Sequence, residues 1–313
     1  MGDSLLRHGY AVMDNAFHPA LAYALQSEIH QLDHQLYPNA THVLVPGSAE
    51  PLLLEKKHIR EMELLTVSPD QAHLNRWFDN PTIRTTMNQL VPPLHATRHM
   101  IKVQYNEGDG GCFPMHFDTY GEDGKCLTAI LYLNDKWKEG HGGELALYPF
   151  PHAPVQVEPL FNRLVLFSST QMLHRVLPAT HSRMCLTTWL YKDPTPPQPS
   201  VGAQATDDAY VRMLFKLSSS PFRRHLAKLF YANEWRQSLV ESHKSTTAFA
   251  SYLDSFDNEI RTIEAATAKM LANFSRQNPN ADIPSTPAVF MARLRREFQD
   301  EGRSASFVVP WFH

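Results

Sequence analysis

The chain has 313 residues, 43% of them hydrophobic and 11% aromatic, with a formal net charge of −3. That is enough chain for one large domain or two modest ones, and a charge so near neutral argues against nucleic acid or an anionic membrane as a partner. No apolar run approaches the roughly 20 residues that span a bilayer, the N-terminal stretch lacks an apolar secretory core, and three cysteines without a CxxC pair suit a reducing compartment, so cytoplasm or nucleus is expected.

Read in chain order, residues 1–100 are mixed but mainly helical. Gly9–Asp14 reads as a short strand. From Phe17 to Leu36 the apolar residues Leu21, Leu25, Ile29, Leu32 and Leu36 recur at helical spacing, and His18-Pro19 suits a helix start. Asp70–Phe78 and Pro81–Leu90 read as two further helices, broken by Asp79-Asn80-Pro81. Residues 98–192 change character. Met100–Tyr105, Cys126–Leu133, Glu144–Tyr148, Val155–Val157, Arg163–Phe167 and Arg183–Tyr191 are short segments rich in β-branched and aromatic residues, separated by loops with Gly and Pro. Such a pattern predicts a sandwich, barrel or jelly roll. Residues 193–204 are a proline-rich linker, and beyond it Asp207–Leu217, Pro221–Ser242, Thr247–Arg276 and Pro287–Asp300 read as helices, so 205–313 is a C-terminal helical region.

The chemistry concentrates in the central zone. His116-Phe117-Asp118 offers an imidazole and a carboxylate two residues apart, which a strand would place on one face. His174 follows the apolar Arg163–Phe167 segment, and Arg183 opens the next one. Two histidines and one carboxylate are the facial ligand set of non-haem Fe(II) oxygenases. A guanidinium nearby suits bidentate pairing with a dicarboxylate cosubstrate. His141, His152 and His181 lack a comparable spacing and read as loop residues, and Cys112 and Cys126 read as small buried hydrophobes.

Lys125-Cys-Leu-Thr-Ala-Ile-Leu-Tyr-Leu-Asn134, Gly142-Gly-Glu-Leu145, Pro159–Phe167, His174-Arg-Val176 and Arg183-Met-Cys-Leu-Thr-Thr-Trp189 follow His116-Phe-Asp118 in order. Over Lys102–Tyr191 the chain resembles the Fe(II)/2-oxoglutarate-dependent dioxygenases, and within them the prolyl 4-hydroxylase group that includes the hypoxia-sensing prolyl hydroxylases. The resemblance implies an α+β fold: a double-stranded β-helix (jelly-roll) core over about 98–192, supported by N-terminal helices within an oxygenase domain of 1–192, and followed by the C-terminal helical extension. It implies Fe(II) on His116, Asp118 and His174, with Arg183 and Tyr132 on the distal carboxylate of 2-oxoglutarate. It also implies Tyr105 near the metal end of the cosubstrate, Thr187 supporting the site and Trp189 walling the pocket. Phe113 stands where close relatives tend to have a second tyrosine, and there is one extra residue between Tyr105 and His116.

The implied cofactors are Fe(II), 2-oxoglutarate and O2, with ascorbate as reductant. The implied reaction is hydroxylation of a prolyl residue at C4 in a target protein, with release of succinate and CO2. An oxygenase acting on a free amino acid or other small molecule, or a catalytically silent binding barrel, would share the same sequence pattern. Lys56–Leu65 and Asn106–Gly111 are candidates for a mobile cover over the substrate. The C-terminal helices are expected to dock on the barrel, form an oligomer or bind the substrate protein; the sequence carries no signal of oligomeric state.

Overall fold

In the computed structural model, residues 1–43, 50–65, 70–193, 207–302 and 309–312 are described. A seven-stranded antiparallel sheet is built from β1 (Tyr10–Met13), β2 (Tyr37–Val43), β3 (Leu52–Glu63), β4 (Ala96–Asn106), β6 (Lys125–Tyr132), β9 (Leu164–Ser168) and β11 (Arg183–Lys192), ordered β1-β9-β6-β11-β4-β3-β2. A four-stranded sheet, β5-β10-β7-β8, is built from β5 (Gly111–His116), β7 (Leu145–Tyr148), β8 (Val155–Val157) and β10 (Leu173–Ala179).

Alternation along the strands divides the interior in two. Met184, Leu186 and Leu190 of β11 join Ile101, Val103, Leu127, Ala129 and Leu131 on the outer face of the long sheet. Helices α1 (Gly2–His8), α2 (Pro19–Gln31), α3 (Ala72–Asp79) and α4 (Thr82–Leu90) close that cluster with Leu5, Leu25, Ile29, Leu74, Trp77 and Met87. Cys185 points the other way, into a cluster with Ile130, Tyr132, Val165 and Phe167 that continues through the short sheet. Its far side is closed by α5 (Ala209–Ser218), α6 (Phe222–Phe230), α7 (Ala232–Ser242), α8 (Thr247–Gln277) and α9 (Pro287–Arg295), which contribute Met213, Leu226, Trp235, Phe256 and Phe290. The result is four layers: N-terminal helices, long sheet, short sheet, C-terminal helices. The α+β jelly-roll core between two helical layers is the architecture expected.

Local signals explain most element starts. The His18 ring accepts from the Ala20 N–H with Pro19 in the first turn of α2, and Thr286 caps α9 ahead of Pro287. Differences arise where pattern is weak. Pro221–Ser242 is two helices, not one, because the chain turns at Tyr231 between α6 and α7. The segment expected as a mobile cover, Lys56–Leu65, instead lies largely within β3, laddered to β4 from Ile59↔Asn106 to Glu63↔Lys102. Its charged and apolar residues give no clean alternation because Lys56–His58 interrupts the ladder, with His58 at a positive φ of 57°. The linker expected at 193–204 lies outside the described residues beyond Asp193.

Candidate metal and cosubstrate site

β5 and β10 are hydrogen-bonded neighbours, and their register pairs His116 directly with His174. The two ring centroids lie 4.3 Å apart. Each Nδ1 faces a backbone carbonyl two residues back, Pro114 O at 2.8 Å and Met172 O at 3.1 Å. A carbonyl only accepts, so Nδ1 carries the proton in both rings and Nε2 keeps its lone pair. Both Nε2 atoms face Oδ1 of Asp118, at 3.7 and 3.9 Å. Those separations are too long for hydrogen bonds and suit three donors facing a common centre. Among the described residues, His116, Asp118 and His174 form the one group of three metal-capable side chains, with donor atoms all within 4.8 Å of one another.

Asp118 reaches this position differently from expectation. β5 ends at His116, and Asp118 sits in the bend that follows rather than on the same strand. Its orientation comes from β6: Thr128 Oγ1 donates to Oδ2 at 2.5 Å, and the Ser169 hydroxyl lies 2.7 Å from Thr128 Oγ1. Lys125 Nζ donates to the Asp118 carbonyl at 3.3 Å and stands 4.9 Å over the Trp189 ring. Burial, joined by the neighbouring His174 ring, lowers the His116 pKa far below the ordinary imidazole range, against the pull of Asp118. For Asp118, burial pushes the pKa up, but the two imidazoles and the Thr128 hydroxyl outweigh it, so the carboxyl stays ionised. An ionised carboxylate beside a His116 ring that resists protonation suits a divalent cation.

A second locus lies on β11. Arg183 is 3% exposed, donates to the Tyr132 hydroxyl at 3.2 Å and stacks its guanidinium 4.8 Å from that ring. No carboxylate among the described residues pairs with it, and its Nε has no partner. A buried guanidinium without a counter-anion is costly, so the site fits an anionic ligand such as the far carboxylate of 2-oxoglutarate. Burial pushes the Tyr132 pKa up to about 12, which keeps its hydroxyl available to donate. Gly143 matters here: at φ +79°, a Cβ would come within 3.0 Å of the Arg183 side chain.

Thr187 and Trp189 share the inward face of β11 with Arg183. Thr187 Oγ1 donates to Gln104 Oε1 at 2.7 Å, and Trp189 is buried opposite Thr128. Tyr105 does not join them. On β4 it lies opposite Met184 and packs on the outer cluster, with the Arg60 guanidinium 5.2 Å from its ring. Alternation gives the inward positions to Lys102 and Gln104, opposite Thr187 and Cys185. Gln104 and Thr128 were missed from sequence. Thr128 had a signal, since it lies four residues before Tyr132 on one strand and so shares its face.

With this geometry in place, comparison gives the class. Residues 100–191 match the family model of the 2OG-Fe(II) oxygenase superfamily. Within it, the relatives are prolyl hydroxylases. The hypoxia-inducible factor prolyl hydroxylase of Caenorhabditis elegans is 27% identical over 207 residues, covering 59% of this chain and 27% of that protein. Prolyl hydroxylase EGLN3 of Mus musculus is 38% identical over 87 residues, 27% of this chain and 36% of that one. The chain thus spans roughly a quarter to a third of the length of the curated relatives it matches. Among solved structures, a prolyl 4-hydroxylase from Phytophthora capsici superposes with a TM-score of 0.68 at 28% identity, over 94% of this chain and 90% of that one. A Trichoplax adhaerens prolyl hydroxylase in complex with a hypoxia inducible factor peptide fragment superposes at TM-score 0.53 and 21% identity, over 61% of this chain and 87% of that one, a likeness of fold.

Proposed function

We propose that the chain is an Fe(II)- and 2-oxoglutarate-dependent dioxygenase that hydroxylates a prolyl residue of a protein. The observation that carries this reading is the convergence of His116, Asp118 and His174 in the same barrel interior as the unpaired guanidinium of Arg183. In this reading Nε2 of both histidines and Oδ1 of Asp118 hold Fe(II), while Arg183 and Tyr132 hold the far carboxylate of 2-oxoglutarate. Bound there, the ferrous ion, with O2 and 2-oxoglutarate, supplies the oxidation of an unactivated C–H bond and releases succinate and CO2. The chain's own residues orient and shield. Thr128 and Lys125 fix the Asp118 loop, the Pro114 and Met172 carbonyls fix the imidazole tautomers, and Trp189 with Thr187 and Gln104 lines the wall. The prolyl substrate is supported by the relatives, and the three free, buried cysteines support a reducing compartment, cytoplasm or nucleus. No helix among the described residues is long and apolar enough to cross a membrane.

The test is succinate formation from 2-oxoglutarate with and without proline-containing peptides, with mass spectrometry for hydroxylation on proline. Wild type should respond to peptide, and Asp118→Ala and His174→Ala should abolish turnover. Turnover with a free amino acid or small molecule, and none with any peptide, would replace the prolyl reading by the small-molecule one.

A further inference from the structure

A cavity of about 190 Å³ opens beside the Asp118 loop, at the barrel end where His116 closes β5 and Leu173 begins β10. Lys125, Lys192 and Arg224 line it, and no carboxylate does. In a chain with net charge −3 that is not a reflection of composition. Neither Lys192 nor Arg224 has an ion-pair partner among the described residues. Arg224 instead stands 5.1 Å over the Tyr120 ring, at the cavity wall. Behind the wall Arg223 is 1% exposed, also without a carboxylate, 4.8 Å from the Trp311 ring that lines the cavity. It donates to the Gln171 carbonyl at 3.3 Å and to Gln171 Oε1 at 2.9 Å. A guanidinium only donates, so the Gln171 amide is oriented with its oxygen toward Arg223 and its two N–H donors left free at the cavity wall. Burial, joined by the adjacent Arg224, pushes the Arg223 pKa down to about 9.

The cavity and the metal site share a residue. Lys125 lines the cavity, and its Nζ donates to the Asp118 carbonyl at 3.3 Å. A chain segment presenting one residue to the triad would pass this opening with a neighbouring one. We propose that the pocket receives the carboxylate of an acidic residue flanking the target proline of the protein substrate. This rests on the prolyl reading above. The pocket would act on affinity and register: a carboxylate entering beside the unpaired Lys192 and Arg224, with an amide donor and Lys125 (3.5 Å from Asp123) at the wall, gains charge-assisted hydrogen bonds in a partly desolvated site.

The test uses the full chain loaded with Mn(II) and 2-oxoglutarate, and short labelled peptides with one central proline. A single Glu, Gln or Lys is scanned through the flanking positions, and binding is read by fluorescence anisotropy. Glu should bind at least about tenfold tighter than Gln at one or two positions, and added salt should erode the difference. Lys192→Glu with Arg224→Glu should invert the preference to Lys at the same positions, a gain that a misfolded protein cannot show. Inorganic phosphate should compete with the Glu peptide and not with the Gln peptide. No position preferring Glu, or a preference surviving the charge reversal, overturns the proposal while leaving the prolyl reading intact. Phosphate binding without any Glu preference overturns it in favour of a free-anion site. Failure of every peptide to bind or be hydroxylated, with turnover of a small molecule, overturns both.

Discussion

The two oxygens of Asp118 have separate partners: Oδ1 faces the imidazoles, and Oδ2 is taken by Thr128. Thr128→Val keeps the shape of the side chain and deletes the donor, so the carboxylate gains freedom to rotate away from the centre. Losing such a supporting hydrogen bond lowers metal affinity by about 10- to 100-fold. Titration of Mn(II) into the variant should show that loss with an unchanged far-UV spectrum, and wild-type affinity would mean that Thr128 does not position Asp118. At the other locus, Arg183→Lys replaces a planar fork by a point charge and removes the donor to Tyr132. The KM for 2-oxoglutarate should rise by roughly two orders of magnitude, with a smaller change in kcat. A KM within about twofold of wild type would detach Arg183 from the cosubstrate. His116, Asp118 and His174 stand out in the sequence by residue type, and the resemblance singles out Arg183, Tyr132, Thr187 and Trp189, which alternation along β6 and β11 carries to inward faces. Tyr105 was misplaced because the ladder, not the local sequence, sets its face: β4 pairs it with Met184, and a single step in a strand exchanges the two faces.

Among the elements, those that bury an unbroken apolar face were legible: β4, β6, β9 and β11, and the helix starts capped by His18, Thr246 and Thr286. β3, β5 and β10 were not, because their pairing comes from partners distant in sequence and their residues include charges, Gly, Pro and His. β5 is an edge strand, and its buried Met115 N–H is met by Ser238 Oγ of α7 at 2.9 Å, a contact no local pattern announces. The end of α7 carries a pH dependence. His243 is 4% exposed, bridged to Lys56 of β3 and stacked 5.2 Å from Phe249. Burial, aided by Lys56 and Lys57 against the Leu239 carbonyl, pushes its pKa down to about 4. The unfolded chain, with an ordinary imidazole pKa near 6.5, takes up the proton first. Stability is therefore full above that value and declines as pH falls through the window toward 4. Metal-free wild type should lose on the order of 2 kcal/mol more than His243→Gln between about pH 7 and about pH 5, measured by urea unfolding. Equal losses would show that His243 does not titrate with folding.

For the whole molecule, the question is whether the C-terminal helices are an appendage or a wall of the barrel. The matched superfamily segment ends at Tyr191, which invites truncation after Asp193. The packing argues against it. The short sheet is one strand deep between the metal site and α7: Phe117 meets Trp235 at 6.2 Å, Tyr148 meets Tyr231 at 4.9 Å, Phe150 meets Phe230 at 5.3 Å, and Arg175 of β10 pairs with Glu241 at 2.6 Å. Removing α5–α9 would expose the outer face of that sheet, including the β5 and β10 backbone that holds both histidines, as a broad apolar patch. Residues 1–193 alone should therefore aggregate or melt without a cooperative transition. In the full chain Trp235→Ala should cost about 3–5 kcal/mol by leaving a cavity against β5, and should weaken Mn(II) binding in step with the loss of order around His116. A truncated 1–193 that unfolds cooperatively and binds Mn(II) like the full chain would show that the long sheet and N-terminal helices suffice to hold the short sheet. The fourth layer would then serve partners rather than the fold.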